Sequence, residues 1–317
     1  MSNKTVSVVM ATYNGAKYIR EQLDSILEQT YQIQEIIIQD DGSTDDTVAI
    51  CEEYARKYPN VHVFRNPKNL GFNENFHTCA LRATGDLVAF SDQDDVWFPE
   101  KIATQVAAIG NRAICCSTHT RGEKQNGAYV VDPQYSLESL VFRSTIAGHS
   151  MLCRRDFIQL PECWCLDVIY DWNVAICAHF HGGIIKIDKP LNWHRTNLQS
   201  ACYEMLRKNK VDFTQRPTYQ PYLYGIRNYR HLQQKAKWKL VHQFICDHTV
   251  GMPQLQTAHT MAQLMLKTDI LSLGRLCMLC LKHGDRIYPN KGRHGLMGKI
   301  RQLCYPLIFA YNNTYYE

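Results

Sequence analysis

The acidic segment at residues 91–95 is the part of this sequence whose residue types and spacing could most directly do chemistry. It contains Asp92, Asp94 and Asp95, and it follows an apolar run at 87–90 that is short enough to be a fully buried strand. Carboxylates at the end of a buried strand must be solvated, paired or bound to a cation, because a bare buried charge is costly. Alternation places Asp92 and Asp94 on one side, where a hard divalent cation could bridge them to the phosphates of a ligand. A solvated acidic turn accounts for the same residues equally well.

The elements that would position these carboxylates alternate along the first hundred residues. Short apolar runs predict buried strands, and amphipathic or capped segments predict helices. The predicted strands are residues 6–10, 35–38, 61–64 and 87–90, and the predicted helices begin near residues 19, 43, 72 and 99. Repeated β-α units imply a Rossmann-like α/β fold, in which a mostly parallel central sheet carries helices on both faces.

Polar side chains follow three of these predicted strands. They are Thr12, Tyr13 and Asn14 after the first strand, Asp40 and Asp41 after the second, and Asp92, Gln93, Asp94 and Asp95 after the fourth. Ligands of parallel α/β sheets bind beyond the carboxyl ends of the strands. The convergence of three such ends therefore favours a ligand site over a chance acidic turn.

The remainder of the chain has a weaker pattern. A hairpin is expected near residues 128–131, a helix at 168–180, and a strand at 184–187 that stops before Pro190. Beyond about residue 200 only helical stretches are recognised. We therefore expect one domain at 1–205, made of halves 1–110 and 111–205, and a basic, mainly helical extension at 206–317.

Charge is distributed unevenly over the 317 residues, although the net charge is only +5. Residues 1–110 contain 9 Lys and Arg against 16 Asp and Glu, whereas residues 200–317 contain 17 against 6. A basic tail suits an anionic membrane surface, and a solvated helical face explains the same charges equally well. No RNA- or DNA-binding signature accompanies the tail, so we expect no nucleic-acid partner.

The cysteine content and the hydropathy of the sequence indicate the cellular compartment of the protein. No apolar stretch approaches the roughly 18 residues needed to span a bilayer, and no signal peptide is recognised. The thirteen cysteines are an odd number without the spacing of a metal site, which indicates reduced thiols. We expect a cytoplasmic protein that rests peripherally on the inner face of the plasma membrane.

Four separated motifs resemble glycosyltransferase family 2, whose members have the GT-A fold and invert the anomeric centre. The motifs are residues 6–15, 38–47, 69–72 and 92–97, and their order and spacing match as well. The last motif is similar to that of bacterial members described as rhamnosyltransferase-like. The resemblance implies transfer of a sugar from a UDP- or dTDP-sugar to a hydroxyl of a saccharide or lipid-linked saccharide. It also implies a Mg²⁺ or Mn²⁺ cofactor and a place in bacterial surface polysaccharide synthesis.

The resemblance also implies roles for individual residues around the nucleotide. It puts Asp94 most directly on the metal, with Asp92 nearer the ribose and a metal-bound water. It implies that Tyr13 stacks on the pyrimidine ring and that Asp40 accepts a hydrogen bond from the N3–H of that ring. Asp41 could share the role of Asp40. The full set of expected nucleotide-sugar-binding residues is Thr12, Tyr13, Asn14, Asp40, Asp41, Asn69, Gly71, Asp92, Gln93, His194 and Arg195. Three of these residues also have explanations that need no ligand. Tyr13 could be an ordinary tyrosine of a turn, Asp41 could cap a helix, and Gly71 could belong to a glycine-containing loop.

Asp171 is the residue that the resemblance assigns as the catalytic base. Rhamnosyltransferase-like members begin a helix with an Asp-Trp pair, and Asp171 and Trp172 match it. Direct displacement needs one base that deprotonates the acceptor hydroxyl. An Asp at a helix N-terminus is favourable in any protein, and Asp167 is the competing candidate. His194 and Arg195 occupy the position where the family closes basic residues over the diphosphate.

Two other functions fit parts of the sequence. A sugar-phosphate nucleotidyltransferase also uses acidic metal ligands, but it needs a Gly- and Arg-rich loop after the first strand. That loop here has the single glycine Gly15 and no arginine. A degenerate domain that binds nucleotide sugar or acts as a scaffold is the non-enzymatic alternative, and metal-dependent turnover of a nucleotide sugar would separate it from an enzyme.

Overall fold

The computed structural model describes residues 4–196, 220–288 and 294–313, and it divides into two compact units. The first unit comprises Met1–Pro133, Ile146–Cys165 and Ile169–Thr196. The second comprises Gln134–Thr145, Leu166–Val168 and Asn197–Glu317. The predicted domain boundary at residue 205 lies outside the described residues and stays a prediction.

The first unit is built on one nine-stranded sheet. Its strands are β1 (Val6–Thr12), β2 (Glu35–Asp40), β3 (Val61–Arg65), β4 (Leu87–Ser91), β5 (Val96–Trp97), β6 (Ile114–Gly122), β7 (Tyr129–Val131), β8 (Met151–Arg154) and β9 (Ile184–Arg195). The strand order is β3-β2-β1-β4-β8-β6-β9-β5, and β7 pairs with β6. Strands β1 to β4 are mutually parallel, and beyond them the sheet is mixed, because β8 is antiparallel to both of its neighbours.

The parallel half of the sheet brings the predicted polar strand ends to one edge. Strands β1, β2 and β4 are apolar and almost wholly buried, as expected of strands covered on both faces. In the register of the sheet Thr12 pairs with Asp40, and Met10 pairs with Ser91. The residues after these positions therefore leave the sheet side by side.

Helices connect and cover the strands of the first unit. They are α1 (Ile19–Leu27), α2 (Thr47–Lys57), α3 (Phe72–Arg82), α4 (Lys101–Ile109), α6 (Arg155–Ile158) and α7 (Tyr170–Ala178), while α5 (Leu137–Leu140) belongs to the second unit. Ile19, Leu23 and Ile26 of α1 are fully buried in the core with strand residues of β1 and β2. Burial of each such side chain stabilises the fold by about 1.5–3 kcal/mol.

The predicted end of the strand at Pro190 was wrong. Strand β9 continues through Pro190 to Arg195 and pairs in parallel with β6. The pairing shifts register between Ser117 and Thr118, where Pro190 lies opposite Thr118. A proline is tolerated at such an irregularity because its missing N–H is not needed by a regular ladder. The continued strand is what carries His194 and Arg195 to the site.

The second unit is helical in the residues described. Its further helices are α8 (Gln220–Gln233), α9 (Ala236–Thr249), α10 (Gln256–Met265), α11 (Ile270–Lys282), α12 (Gly284–Ile287), α13 (Gly295–Leu303) and α14 (Tyr305–Asn313). Phe142 packs edge-to-face against Tyr305 and Phe309. No helix in the described ranges is long and apolar enough to cross a bilayer. The predicted α/β fold with a C-terminal helical extension is confirmed.

Candidate active site

The loops after β1 and β4 are joined by a two-way hydrogen-bonded contact. Gln93 accepts from the backbone N–H of Tyr13 at 2.9 Å and donates to the carbonyl of Tyr13 at 2.9 Å. A Cβ atom on Gly15 would lie 2.1 Å from the Gln93 side-chain oxygen, so only glycine permits this approach. The Tyr13 ring itself is 49% exposed. The loop backbone is therefore fixed while the aromatic ring stays accessible.

The loops after β1 and β2 are joined through Asn14. Its backbone N–H donates to Ser43 Oγ at 2.9 Å, and its side-chain oxygen accepts from the N–H of Thr44 at 2.9 Å. Asn14 has a φ of 48°, a left-handed conformation that asparagine adopts more readily than most residues. Asn14 is thus a linker between two loops at the carboxyl edge.

Asp40 is buried, and hydrogen bonds within the protein take up most of the acceptor capacity of its carboxylate. One oxygen accepts from Thr12 Oγ1 at 3.1 Å and from Ser43 Oγ. The other accepts from the N–H groups of Gly42 at 3.1 Å and Ser43 at 2.9 Å. Because each carboxylate oxygen has two lone pairs, Asp40 has little acceptor capacity left for a ligand.

Asp41 instead shapes the loop that contains Asn69 and Gly71. Its Oδ1 accepts from Asn66 Nδ2 and from the N–H of Leu70, both at 2.8 Å. Its Oδ2 accepts from the N–H of Gly71 at 2.9 Å. Gly71 has a φ of 83°, which favours glycine at this position. Among the bonds described, Asp41 Oδ2 has one donor and so retains more acceptor capacity than either oxygen of Asp40.

A group of side chains that could hold a metal ion converges below this edge. Among the described residues it consists of Asp92, Asp95, His149 and His194, whose ligand atoms all lie within 4.8 Å of one another. Burial, together with the charges of Asp95 and Asp94, raises the pKa of Asp92 to about 8. A cation at this position would relieve that repulsion.

Asp95 is the fully buried centre of this group. Its Oδ1 accepts from His194 Nδ1 at 2.9 Å and from the N–H of Arg195 at 3.3 Å. Its Oδ2 lies 3.5 Å from His149 Nδ1. The rings of His149 and His194 stack with centroids 4.6 Å apart, and His119 meets His149 edge-on at 4.6 Å.

The three histidines have different electrostatic environments. Burial lowers the pKa of His149 well below its usual range and lowers the pKa of His119 to about 3. Burial opposes protonation of His194 as well, but the adjacent Asp95 carboxylate outweighs it and raises the pKa of His194. His194 is therefore the histidine of this cluster that carries a proton most readily.

Arg195 is held by the protein on several sides. Its Nε donates to the carbonyl of Asp94 at 3.0 Å, and its terminal nitrogen pairs with Glu21. Its guanidinium also lies over the rings of Tyr18, at 4.6 Å, and Trp193, at 4.3 Å. These contacts tie the end of β9 to the acidic turn and to α1.

Asp171 lies in the first turn of α7. Burial is the main cause of the raised pKa of Asp92, and the charge of Asp171 adds to those of Asp95 and Asp94 in raising it. The backbone N–H groups of Gly148 and Trp172 hydrogen-bond to the Asp171 carboxylate, but burial is the larger effect and raises its pKa to about 7. The alternative candidate Asp167 is exposed, belongs to the second unit and interacts electrostatically with Lys237.

The position of Asp171 depends on tight packing around Tyr170. The backbone N–H of Tyr170 donates to Asn73 Oδ1 at 2.9 Å, and its ring stacks on Trp164. A Cβ atom on Gly148 would lie 1.7 Å from the Tyr170 hydroxyl oxygen and 2.6 Å from Cζ. Gly148 therefore allows the segment before β8 to reach both Tyr170 and Asp171.

Gly148→Ala is expected to lower the free energy of unfolding by about 1–3 kcal/mol, because the added methyl group overpacks the contact with Tyr170. Chemical denaturation of the variant would measure this loss. Tyr170→Phe removes the nearer atom, so the double variant should recover part of the loss caused by Gly148→Ala. Strictly additive effects of the two substitutions would contradict the assigned contact.

Hydrogen bonds between the loops after β1, β2 and β4 and the end of β9 join the parts of the chain that contain the expected site residues other than Asp171. The roles of all these residues stay predictions. Asp94, the expected main ligand, lies beside the converging group rather than within it. Asp95 and His119 were missed. Nothing in the sequence distinguished Asp95 from the other carboxylates of the acidic segment. His119 is a single histidine on a strand, and no sequence pattern marked it as a site residue.

Comparisons with known proteins match this architecture. The family model described as Glycosyl transferase family 2 matches residues 7–160. The dTDP-rhamnosyl transferase RfbG of Shigella flexneri is 40% identical over 116 residues, which are 35% of this chain and 40% of that protein. The uncharacterized glycosyltransferase RP339 of Rickettsia prowazekii (strain Madrid E) is 32% identical over 155 residues, 46% of this chain and 47% of that protein. The matches thus span less than half the length of these relatives.

Solved structures align with nearly the whole length of the chain. TarS 1-349 of S. aureus in complex with UDP has a TM-score of 0.52 at 17% identity, over 98% of this chain and 91% of that chain. The mannosyltransferase PcManGT from Pyrobaculum calidifontis, in complex with GDP-Man and Mn²⁺, has a TM-score of 0.53 at 17% identity, over 99% and 87%. At such identities the likeness concerns the fold, which is that of GT-A glycosyltransferases. Residues 7–160 of this chain therefore match glycosyl transferase family 2, and the chain has the GT-A fold.

Proposed function

We propose that this protein transfers a sugar, with inversion, from a UDP- or dTDP-sugar to a hydroxyl of a saccharide or lipid-linked saccharide. The observation that carries the proposal is that the charge of Asp171 acts on Asp92, which belongs to the candidate metal group. This interaction supports a candidate base that acts beside a candidate cation site. The matched relatives that are named as glycosyltransferases support the reaction class.

The nucleotide is proposed to bind across the loops after β1 and β2. The half-exposed ring of Tyr13 is available for stacking because Gln93 holds only its backbone. Asp40 was predicted to accept from the pyrimidine N3–H, and its four internal hydrogen bonds favour Asp41 for that contact. Asp40 then acts by fixing the turn at Gly42 and Ser43 and by holding the side chain of Thr12.

A divalent cation is proposed to be held by Asp92 and Asp94 together with His194. Mixed carboxylate and imidazole donors suit Mn²⁺ better than Mg²⁺, which prefers oxygen ligands. When bound, the cation would supply Lewis-acid neutralisation of the leaving diphosphate. Asp95 orients His194 through its Nδ1, which leaves Nε2 as the nitrogen for the cation or a phosphate oxygen.

Asp171 is proposed to accept the proton of the acceptor hydroxyl. The acceptor oxygen forms a bond to the anomeric carbon as the bond from that carbon to the diphosphate breaks, so a single displacement inverts the centre. A carboxylate whose pKa is raised to about 7 is well matched to general-base catalysis near neutral pH. The backbone N–H groups of Trp172 and Gly148 stabilise the charged form of this carboxylate and so oppose the effect of burial.

Binding of a pyrimidine nucleotide with Mn²⁺ is expected to raise the melting temperature by several degrees. A ligand at one hundred times its Kd adds about 2.7 kcal/mol to the stability of the native state. UDP and dTDP should raise it more than ADP, and EDTA should reduce each shift. Thermal-shift measurements over a nucleotide panel test this expectation.

Turnover of the matching nucleotide sugar then separates an enzyme from a binding module, and product NMR should show inversion. Retention of configuration would refute the single displacement. Nucleotide-dependent stabilisation without hydrolysis or transfer of any nucleotide sugar would favour the scaffold function.

The cellular setting is also part of the proposal. Residues 200–317 carry 17 Lys and Arg against 6 Asp and Glu, which suits peripheral attachment to the anionic inner face of a plasma membrane. A cytoplasmic enzyme at that surface could extend a lipid-linked saccharide during bacterial surface polysaccharide synthesis.

A further inference from the structure

We propose that the second unit docks on the surface of a bilayer containing anionic phospholipid through one defined surface, the α11–α13 face. Its members are exposed apolar side chains and the basic side chains near them. Along α11 and just before it they are Ile270, Leu271 and Met278, with Lys267, Arg275 and Lys282. The helix α13, which packs on α11, adds the exposed Leu296, Met297 and Lys299. The inference rests on the membrane association proposed above and is independent of the transfer reaction.

The apolar part of this face is unusually exposed. Leu271 and Leu296 are 75% and 76% exposed, although both are large aliphatic residues. Leu271 and Met278 are seven residues apart on α11 and so project from the same side of the helix. Single exposed apolar residues are normal on protein surfaces, but several on adjoining helices mark an interaction site.

A groove runs along this face and combines apolar walls with a basic rim. It has a volume of about 1320 Å³ and includes Leu271, Met278 and Leu303 in its lining. Its charged lining residues are Lys267, Arg275 and Lys282, and no Asp or Glu is among the residues that line it.

The basic side chains on α11 repeat at helical spacing beside the apolar ones. Arg275 follows Leu271 by four residues, and Lys282 follows Met278 by four, so each cation lies one turn from an apolar side chain. Two carboxylates flank α11 in sequence. Asp269 caps α11 by accepting from the N–H of Ser272 at 2.9 Å and from its hydroxyl at 2.7 Å, and Asp285 follows Lys282 by three residues.

A bilayer surface fits this combination better than the other occupants. Interfacial helices insert an apolar side while their Lys and Arg side chains contact anionic headgroups. Helix α11 has 13 residues, which is too short to span a bilayer. A second copy of this chain would bring the same three cations of the rim against each other, which like-charge repulsion disfavours.

The test is sedimentation of the full chain with phosphatidylcholine vesicles, with and without phosphatidylglycerol. The wild-type chain should bind the phosphatidylglycerol vesicles more strongly, and salt should weaken that preference. Leu271→Ser combined with Met278→Ser should lower the vesicle partition coefficient by about tenfold or more. Arg275→Glu should cause a loss of about tenfold that is confined to the anionic vesicles.

Matched controls are available on α9, which packs on α10 rather than on α11. Leu240 is 55% exposed, close to the 59% of Met278, and Lys239 is an exposed cation like Arg275. Leu240→Ser and Lys239→Glu should leave binding within about twofold of wild type. Unchanged circular dichroism would establish that each variant is folded.

The possible outcomes distinguish docking through the α11–α13 face from membrane association in general. Wild-type binding that the α11 variants do not weaken would overturn the α11–α13 face while leaving membrane association standing. Failure of the wild-type chain to bind any vesicle would overturn both, and nucleotide-dependent stabilisation would still test the transfer function separately. A concentration-dependent dimer abolished by Leu271→Ser and Met278→Ser would instead identify the face as a self-association surface.

Discussion

Asp171→Asn is expected to lower the transfer rate constant by about two to four orders of magnitude, the usual loss when a general base is removed. The substitution keeps the size of the side chain and its ability to accept from the N–H groups of Gly148 and Trp172. Nucleotide affinity should therefore remain close to that of the wild-type protein. Transfer kinetics and nucleotide titration on the same preparation measure the two quantities.

The pH dependence of the wild-type enzyme provides a second readout of Asp171. Burial raises the pKa of this carboxyl from 3.8 to about 7, and only its deprotonated form can act as a base. The rate constant should therefore rise with pH through about 7 and level off above it. A bound divalent cation favours the carboxylate, so the rise should move to lower pH when Mn²⁺ is saturating. With Mn²⁺ saturating, so that Asp92 is held as the carboxylate, Asp171→Asn should abolish this rise.

Asp167→Asn is the matched control for the base. Asp167 is an exposed carboxylate of the second unit, so its replacement should leave transfer within about twofold. Parallel loss of nucleotide binding in Asp171→Asn would make Asp171 a structural residue. A large loss of transfer in Asp167→Asn would move the base to that position.

Asp94→Ala and Asp92→Asn are each expected to reduce transfer by about three orders of magnitude or more, because the cation contributes several kcal/mol to stabilising the leaving diphosphate. The Mn²⁺-dependent part of nucleotide binding should disappear in both variants while the fold stays intact. Chelation of the wild-type protein with EDTA should produce the same loss, and added Mn²⁺ should restore activity only to the wild type. Activity assays and thermal shifts with and without Mn²⁺ check these expectations.

Comparing the two variants decides between two views of the metal site. The family resemblance puts Asp94 most directly on the cation, whereas the group that converges in space contains Asp92. The variant with the larger loss of Mn²⁺ affinity identifies the principal ligand. Asp188→Asn is the control, because Asp188 is exposed and its partner Lys186 keeps a second contact to Asp132. Full activity of the wild-type protein in EDTA would refute metal dependence.

Local patterns in the sequence were sufficient for the parallel half of the fold. The apolar runs of β1, β2 and β4 and the helical spacing in α1 each depend on residues that are near one another in the chain. Because parallel strands place their carboxyl ends at one edge, the sequence also predicted that Asp40 and Asp92 would lie close to Tyr13. The family motifs fall in the same segment, where local periodicity is strongest.

Local patterns failed where strand pairing overrides them. Strand β6 contains Cys, Ser, Thr and His, so it lacks the apolar signal of a buried strand although its first six residues are buried. Strand β9 passes through Pro190 because a register shift against β6 accommodates the missing N–H. Neither feature has a signature within a few residues of the chain.

Only the tertiary structure decided the composition of the site. Asp95 and His194 are 99 residues apart in sequence, and they meet because β9 lies between β6 and β5 in the sheet. The same arrangement gives Asp40 and Asp41 different hydrogen-bond partners. Asp40 accepts from Thr12 at the end of β1, and Asp41 accepts from the N–H of Gly71 in a neighbouring loop. The sequence by itself determined which residue types stand at the strand ends, because the position of each strand follows from the local pattern of apolar and polar residues. The choice among those residues depends on strand order, which is set by non-local packing.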